Sequence, residues 1–97
     1  MTLREFVDVY VDGKELSPRY CAELHWTVAA LDRWHGCPVK LGELSEGLFD
    51  GWLRTLLKDK ERPRSPATTA WHRNVLLMLW RAAYALQLTP IEPPFVK

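Results

Sequence analysis

Hydrophobic side chains recur at the three-to-four-residue spacing of an α-helix in four segments of this chain, and each segment has its own start and stop signals. The first helix is predicted over residues 3–11. Thr2 and Glu5 have the spacing of a capping box at its start, and the Asp12-Gly13 pair ends it. No segment shows the apolar–polar alternation of a half-buried strand, so the pattern predicts an all-α domain.

The second predicted helix has the clearest boundaries. Ser17 is placed to cap it, and Pro18 occupies the first helical position, where a missing N–H group is harmless. Gly36 followed by Pro38 ends it. Its apolar stripe falls on Tyr20, Leu24, Val28, Leu31 and His35, and the opposite, outward side is predicted to hold Arg19, Ala22, Glu23, Trp26 and Arg33.

The third and fourth helices open at Ser45 and at the Ser65-Pro66 pair. Gly47 and Gly51 lower the intrinsic propensity of the third helix, so tertiary packing must hold it. The fourth is predicted to continue to about Gln87 and is apolar nearly all round, which is typical of a central helix or of one with a second binding face. Its outward side, opposite Val75, is predicted to hold Thr69, Ala70, Arg73, Asn74, Leu77 and Arg81.

The end of the chain differs in composition from the helical part. Residues 88–97 hold three prolines and no amphipathic period, which is typical of an extended linker. A chain of 97 residues with 47% hydrophobic residues is long enough for one modest core. We therefore place one helical domain at residues 1–91 and the start of a linker at residues 92–97.

Composition also excludes several classes of protein. No apolar run approaches the roughly 20 residues of a membrane-spanning helix, and the first residues lack the layout of a secretory signal. Cys21 and Cys37 stand near the two ends of the second predicted helix, about 24 Å apart at the helical rise, which is too far for a disulfide. We therefore expect two reduced thiols in a cytoplasmic protein.

The net charge of +1 hides a polarised chain. Residues 1–53 hold five Lys and Arg against nine Asp and Glu, a net charge of −4. Residues 54–91 hold seven Lys and Arg against two acidic residues, a net charge of +5. One basic side is the electrostatic footprint of a polyanion binder. The alternative is that the segment "KDKERPR" is a solvated loop that only keeps the domain soluble.

The residue types that carry catalysis or bind metals are not arranged for either purpose. His25, His35 and His72 have no cysteine or carboxylate at metal-ligand spacing, and the glycines are scattered singly rather than in a phosphate-binding loop. Cys37 has no base beside it in the sequence. We therefore expect no catalytic residue, no metal and no cofactor in this chain.

The outward sides of the second and fourth helices suit a duplex. Both combine guanidinium groups, which reach phosphate or guanine, with small residues that permit close approach. The start of the fourth helix offers hydroxyl and N–H groups to a phosphate, and Arg73 is predicted to face DNA, so that its loss would weaken binding without unfolding the protein. The candidate DNA-binding residues are Arg19, Lys58, Lys60, Arg62, Arg64, Thr68, Thr69, Arg73, Asn74 and Arg81.

The order of these motifs resembles a known family. Tyr10, "KELSPRY", "ALDRW", "LGELSEGLFDGWLRTLL", "SPATTAWHRNVLLMLWRAA" and a proline-rich exit look like the core-binding domain of tyrosine recombinases, the phage-integrase family. The match covers about residues 3–91, nearly the whole chain. One position departs from the family pattern, because Tyr20 stands where the family commonly has Thr.

The resemblance implies a four-helix, SAM-like bundle of two crossed helix hairpins, whose second and fourth helices face double-stranded DNA. It also implies a separate C-terminal catalytic domain with the nucleophilic tyrosine, so that the full-length protein would be a tyrosine recombinase and this fragment would have no enzymatic activity. Sister recombinase protomers are then expected partners in a synaptic complex. We expect no membrane partner, and the isolated domain is expected to be monomeric.

Two other functions fit parts of the pattern. A helical adaptor that binds other proteins would use Trp26, Trp80 and Tyr84 as anchors. A helix-turn-helix repressor fits less well, because no turn of three or four residues joins two candidate helices. Trp26 itself is either part of a contact surface or, the reading we favour, packed under the "VKLGEL" connection.

Overall fold

The four predicted helices form in a computed structural model, which describes residues 1–94. The all-α prediction is confirmed: over the described residues the only β-type pairing is a single antiparallel bridge between Thr2 and Lys40. A short 3₁₀ turn at Leu41–Glu43 was not predicted, and the last helix ends two residues before Gln87. The helices are α1 (Leu3–Val11), α2 (Pro18–His35), α3 (Glu46–Leu57) and α4 (Pro66–Ala85).

Every α-helix start has the side-chain cap that the sequence predicts. The Thr2 hydroxyl accepts the N–H of Glu5 at 3.1 Å, and the Glu5 carboxylate accepts the N–H of Thr2 at 2.9 Å, which completes the capping box. Ser17 accepts the N–H of Tyr20 at 3.1 Å in α2. Ser45 and Ser65 make the equivalent bonds in α3 and α4, at 3.0 and 3.1 Å. These bonds satisfy amide groups that the helices themselves leave unpaired.

Loss of a serine cap should lower stability without changing the fold. We expect Ser17→Ala and Ser65→Ala each to reduce the free energy of unfolding by about 1 kcal/mol, because each removes an acceptor from a first-turn amide. Ser65→Asp is the matched control, since Asp caps as well as Ser and should remain near wild type. Urea denaturation measures all three, and wild-type midpoints for both alanine variants would contradict this assignment.

The helices pack as two neighbouring pairs, α1 with α2 and α3 with α4, and both pairs contribute to one core. α4 is the central helix, because it contacts α1, α2 and α3 and buries eight of its residues. Of the two explanations for its nearly all-round apolar surface, a central position therefore applies to α4. Two residues predicted on its outward side, Thr69 and Leu77, are buried instead. The largest fully buried side chains are Phe6, Phe49, Leu3, Leu24, Leu31, Leu41, Leu44, Leu76, Leu79, Val7, Val28 and Val39.

α3 packs closely against α2 at Gly51, the second of its two glycines. A Cβ atom at Gly51 would lie 3.1 Å from the ring of Trp34, so glycine lets the indole lie directly on the α3 backbone. The α2–α3 connection is tied to the start of the chain, because Leu3 donates to the Val39 carbonyl at 2.8 Å and Leu41 to the Met1 carbonyl at 3.0 Å.

The segment after α4 packs against the domain as far as Ile91. The buried Thr89 hydroxyl donates to the Leu41 carbonyl at 2.8 Å, and the Trp80 indole N–H donates to the Ile91 carbonyl at 2.9 Å. Residues 88–91 therefore pack against the domain although their composition is typical of a linker, and the start of a linker at residues 92–97 stays a prediction. Within the predicted linker, residues 95–97 lie outside the described part of the chain.

α1 and α2 are joined by a histidine bound at both ring nitrogens. His25 donates from Nε2 to Asp8 Oδ1 at 2.9 Å and from Nδ1 to the Cys21 carbonyl at 2.8 Å. Both partners are acceptors, so both bonds form only when the ring is protonated. The hydrogen bond to Asp8 raises the pKa of His25, the bond to Cys21 adds to this, and the nearby Arg4 opposes it weakly.

This histidine should make stability depend on pH. Because the folded-state pKa is raised, its contribution is complete below about pH 6.5 and is lost as the pH rises through the folded value. Asp8→Asn should therefore lower the denaturation midpoint at about pH 6 and have almost no effect at about pH 9. Asp12→Asn, at the end of the same helix, is the control. An equal loss for Asp8→Asn at both pH values would contradict this pairing.

Candidate nucleic-acid interface

The basic connection between α3 and α4 has a defined shape. Asp59 Oδ1 accepts the backbone N–H groups of Glu61 and Arg62, at 2.9 and 3.1 Å, and these bonds lower the pKa of the Asp59 carboxyl. Arg64 donates its backbone N–H to the Leu56 carbonyl at 2.8 Å. The one aspartate among these cations is therefore bonded to the loop's own backbone, and the connection, which we call the basic loop (residues 58–64), presents its cations outward.

Three of the four basic-loop cations are available to a partner. Lys58, Lys60 and Arg62 are exposed, and none of them forms an ion pair with any residue in 1–94. Arg64 is half-buried, and its guanidinium donates to the Arg62 carbonyl at 2.8 Å. Arg64 therefore serves partly to shape the loop, and the exposed charge lies on the other three.

The start of α4 offers fewer free hydroxyl and N–H groups to a phosphate than the sequence predicts. Thr68 is exposed, as predicted, but its N–H is bonded to Ser65. Thr69 is only 7% exposed, and its hydroxyl donates to the Pro66 carbonyl at 2.9 Å, so the prediction of an outward Thr69 is wrong. Of the first-turn amides, the Ala67 N–H makes no hydrogen bond with residues 1–94.

Arg73 is engaged by α3. Its guanidinium pairs with Asp50 and lies 3.7 Å from the Glu46 carboxylate, and its side chain is 40% exposed. Arg73 therefore lies against α3 with part of its side chain exposed, and its predicted contact with DNA stays a prediction. Asn74 and Arg81 are exposed as predicted and form one stripe with Ala70.

The outward side of α2 lies where the sequence places it. Ala22, Trp26 and Arg33 are exposed. Arg19 is also exposed and forms an ion pair of 3.4 Å with Glu23, one helical turn along. Such a surface pair contributes little to stability and is screened by salt, so Arg19 can exchange Glu23 for another anion.

A cleft of about 440 Å³ separates the exposed sides of α2 and α4. Trp26 stacks on His72 across it, with ring centroids 5.3 Å apart and planes 29° apart. The favoured prediction for Trp26, packing under the α2–α3 connection, is therefore wrong. Trp26 contacts α4 instead, and it stays 45% exposed. The cleft, which we call the aromatic cleft, is lined by Glu23, Trp26, Ala67, Thr68, Trp71 and His72.

His72 lies at the centre of a cluster of tryptophans. Trp71 and Trp52 surround it at centroid distances of 5.2 and 5.6 Å, in addition to the stacked Trp26. Burial lowers the pKa of His72, and the nearby Arg64 guanidinium lowers it further. Nothing in the sequence distinguishes His72 from an ordinary helix histidine. The sequence signal nearest to this cluster is Trp26, a large aromatic on an outward stripe.

Other sites of chemistry are limited within residues 1–94. No three His, Cys, Asp or Glu side chains come close enough to hold a metal ion. Cys21 and Cys37 are free thiols, as expected. Cys37 Sγ lies 3.4 Å from His35 Nδ1, so the prediction that no base lies beside Cys37 is wrong. None of the helices there has the length and apolar character needed to cross a membrane.

Comparison with protein-family models, curated proteins and solved structures finds no match for this chain.

Proposed function

We propose that this chain is the DNA-binding domain of a site-specific tyrosine recombinase of the phage-integrase family, with the SAM-like arrangement of two crossed hairpins. In this proposal α2 and α4 grip duplex DNA during integration and recombination. The catalytic domain and the sister protomers belong to the full-length protein. The motif order described above supports the family.

The observation that carries the proposal is the position of the unpaired cations. Lys58, Lys60 and Arg62 lie in a loop that runs directly into the start of α4, and Asn74 and Arg81 continue an exposed stripe along that helix. The aromatic cleft places the exposed side of α2 next to the same helix start. Cations, a helix start and a second helix side therefore border one surface, which suits phosphates along a duplex.

Among the Lys and Arg residues of the described part of the chain, only Arg19 and Arg73 form ion pairs, with carboxylates on α2 and α3. The basic loop therefore differs from the rest of the surface in the grouping of its cations beside the start of α4 rather than in their lack of partners. The adaptor alternative loses one of its three anchors, because Trp80 is 3% exposed and is bonded to the chain that follows α4, whereas Trp26 and Tyr84 are exposed.

A salt titration separates DNA binding from protein binding. We expect the domain to bind labelled duplex with a dissociation constant of roughly 10⁻⁴ to 10⁻⁶ M at physiological salt and with little sequence preference. Log affinity should fall linearly as log salt rises, because neutralised phosphates release counterions. Affinity that ignores salt, or no binding at low salt, would contradict the proposal.

A further inference from the structure

The aromatic cleft has the composition of a site for one flat ring. Trp26 and Trp71 supply aromatic surface, and His72, in the second turn of α4, packs against α2. The volume of about 440 Å³ falls within the range of roughly 300–1,000 Å³ that is usual for small-molecule sites. Trp26 remains 45% exposed even though it stacks on His72, so part of its ring surface is open to a ligand.

The proton of His72 can be placed from its one hydrogen bond. His72 Nδ1 lies 3.0 Å from Thr27 Oγ1, and Thr27 is fully buried. Within residues 1–94 the Thr27 hydroxyl has no other partner, so its proton must point to Nδ1 for the buried donor to be satisfied. Burial lowers the pKa of His72 and so favours the neutral ring, whose own proton then lies on Nε2.

The second ring nitrogen of His72 has no protein partner. His72 is only 5% exposed, and Nε2 makes no hydrogen bond with residues 1–94. No side-chain nitrogen or oxygen in that range is both fully buried and without a partner, so Nε2 reaches the surface. His72 lines the aromatic cleft, and a ligand in the cleft would lie against this largely buried imidazole.

The charges around the cleft select a neutral ligand. A cation would meet the Nε2–H donor and the nearby Arg64, while an anion would meet the Glu23 carboxylate at the mouth. A flat ring with a nitrogen or oxygen acceptor would stack on Trp26 and accept from His72. Only one carboxylate oxygen of Glu23 pairs with Arg19. The other oxygen can accept a hydrogen bond from an amino group on the ligand's ring.

We propose that the aromatic cleft binds a single unpaired nucleobase, stacked on Trp26 and hydrogen-bonded to His72 Nε2–H. This inference goes beyond duplex binding and uses different residues, since it needs no phosphate and no basic-loop cation. The base can come from a free nucleoside or from a base turned out of a DNA strand, and the two sources are separable by experiment.

Adenosine, which has no phosphate, is the first probe. In NMR titrations we expect the indole N–H signals of Trp26 and Trp71 and the Nε2–H signal of His72 to move, with an affinity of about millimolar that does not change with salt. Trp26→Ala should weaken binding about tenfold through loss of stacking, and Trp26→Phe should recover part of it. Trp34→Ala is the matched control, because Trp34 is an exposed indole of α2 that lies on α3 instead.

Two further probes test the chemistry. Indole is flat but offers no ring acceptor, and tetramethylammonium is a cation; both should bind more weakly than adenosine. Equal or tighter binding of either probe, or adenosine binding that Trp26→Ala leaves unchanged, would overturn the proposal. Failure of duplex binding with normal adenosine binding would overturn only the proposed function.

A duplex with one unpaired adenine identifies the source of the base. If the base enters the cleft, this duplex binds more tightly than the fully paired one, and Trp26→Ala removes the difference. If adenosine binds but the unpaired adenine adds nothing, the ligand is a free nucleoside. If neither adenosine nor the unpaired base binds, the cleft is not a nucleobase site.

Discussion

Replacement of Lys58, Lys60 and Arg62 by glutamine should weaken duplex binding about a hundredfold near 0.1 M salt. Each phosphate contact contributes about 0.9 to the slope of log affinity against log salt, so the triple variant should also show a slope shallower by about 2.7. The three side chains are exposed and unpaired within the described residues, so the free energy of unfolding should change by less than about 0.5 kcal/mol. Fluorescence anisotropy at several salt concentrations measures both quantities.

A matched control removes the same charge from another part of the surface. Arg4, Lys14 and Lys40 are exposed, and they lie in the acidic half of the sequence and outside α2 and α4. Their replacement by glutamine should reduce affinity only slightly, through the net charge. If both triple variants weaken binding equally, the effect comes from overall charge, and the basic loop is not the interface.

Trp80→Ala should be the most destabilising single change that we predict, at about 3–5 kcal/mol. The Trp80 side chain is buried, meets Phe49 edge-on with ring centroids 5.8 Å apart, and donates to the Ile91 carbonyl. Its removal leaves a cavity in the core and releases the segment after α4. Since domains of this size have only about 5–15 kcal/mol of total stability, we expect a large fall in the thermal midpoint.

Two variants show which part of Trp80 matters. Trp80→Phe keeps most of the buried ring and loses the hydrogen bond, so it should cost about 1–2 kcal/mol. Tyr84→Ala, an exposed aromatic one turn later on α4, should change stability by less than about 0.5 kcal/mol. A Trp80→Ala protein that is as stable as wild type would contradict the buried position and would restore Trp80 as a possible anchor for a partner.

The helix boundaries were predictable because their signals are local. A serine before a proline fixes the start of α2 and of α4 through a hydrogen bond only three residues away, and Gly36 ends α2 with a φ of 95° that favours glycine. The class of fold follows from these boundaries and from helical periodicity. The 3₁₀ turn and the exact end of α4 have weaker local signals.

The outward side of α4 was predicted incorrectly for a physical reason. Periodicity defines a side only where a helix has one apolar stripe, and α4 is apolar nearly all round because three helices pack on it. Thr69 is therefore buried, and Arg73 points to carboxylates of α3. Partners such as Asp50 lie 23 residues away in sequence, and no local pattern reports them.

The aromatic cleft depends on contacts still more distant in the sequence. Thr27 meets His72 across 45 residues, and only the packing of α2 on α4 brings them together. The sequence does distinguish Trp26, since a large aromatic on an outward stripe usually marks a contact surface. It cannot indicate which residue the indole stacks on.

The most direct test of the central claim is a map of backbone amide shifts as duplex DNA is added to the ¹⁵N-labelled domain. The account predicts that the largest changes fall on residues 58–68, on the exposed α4 stripe through Asn74 and Arg81, and on α2 near Arg19. Changes concentrated on α1, or shifts that are absent at low salt, would contradict a DNA interface formed by α2 and α4.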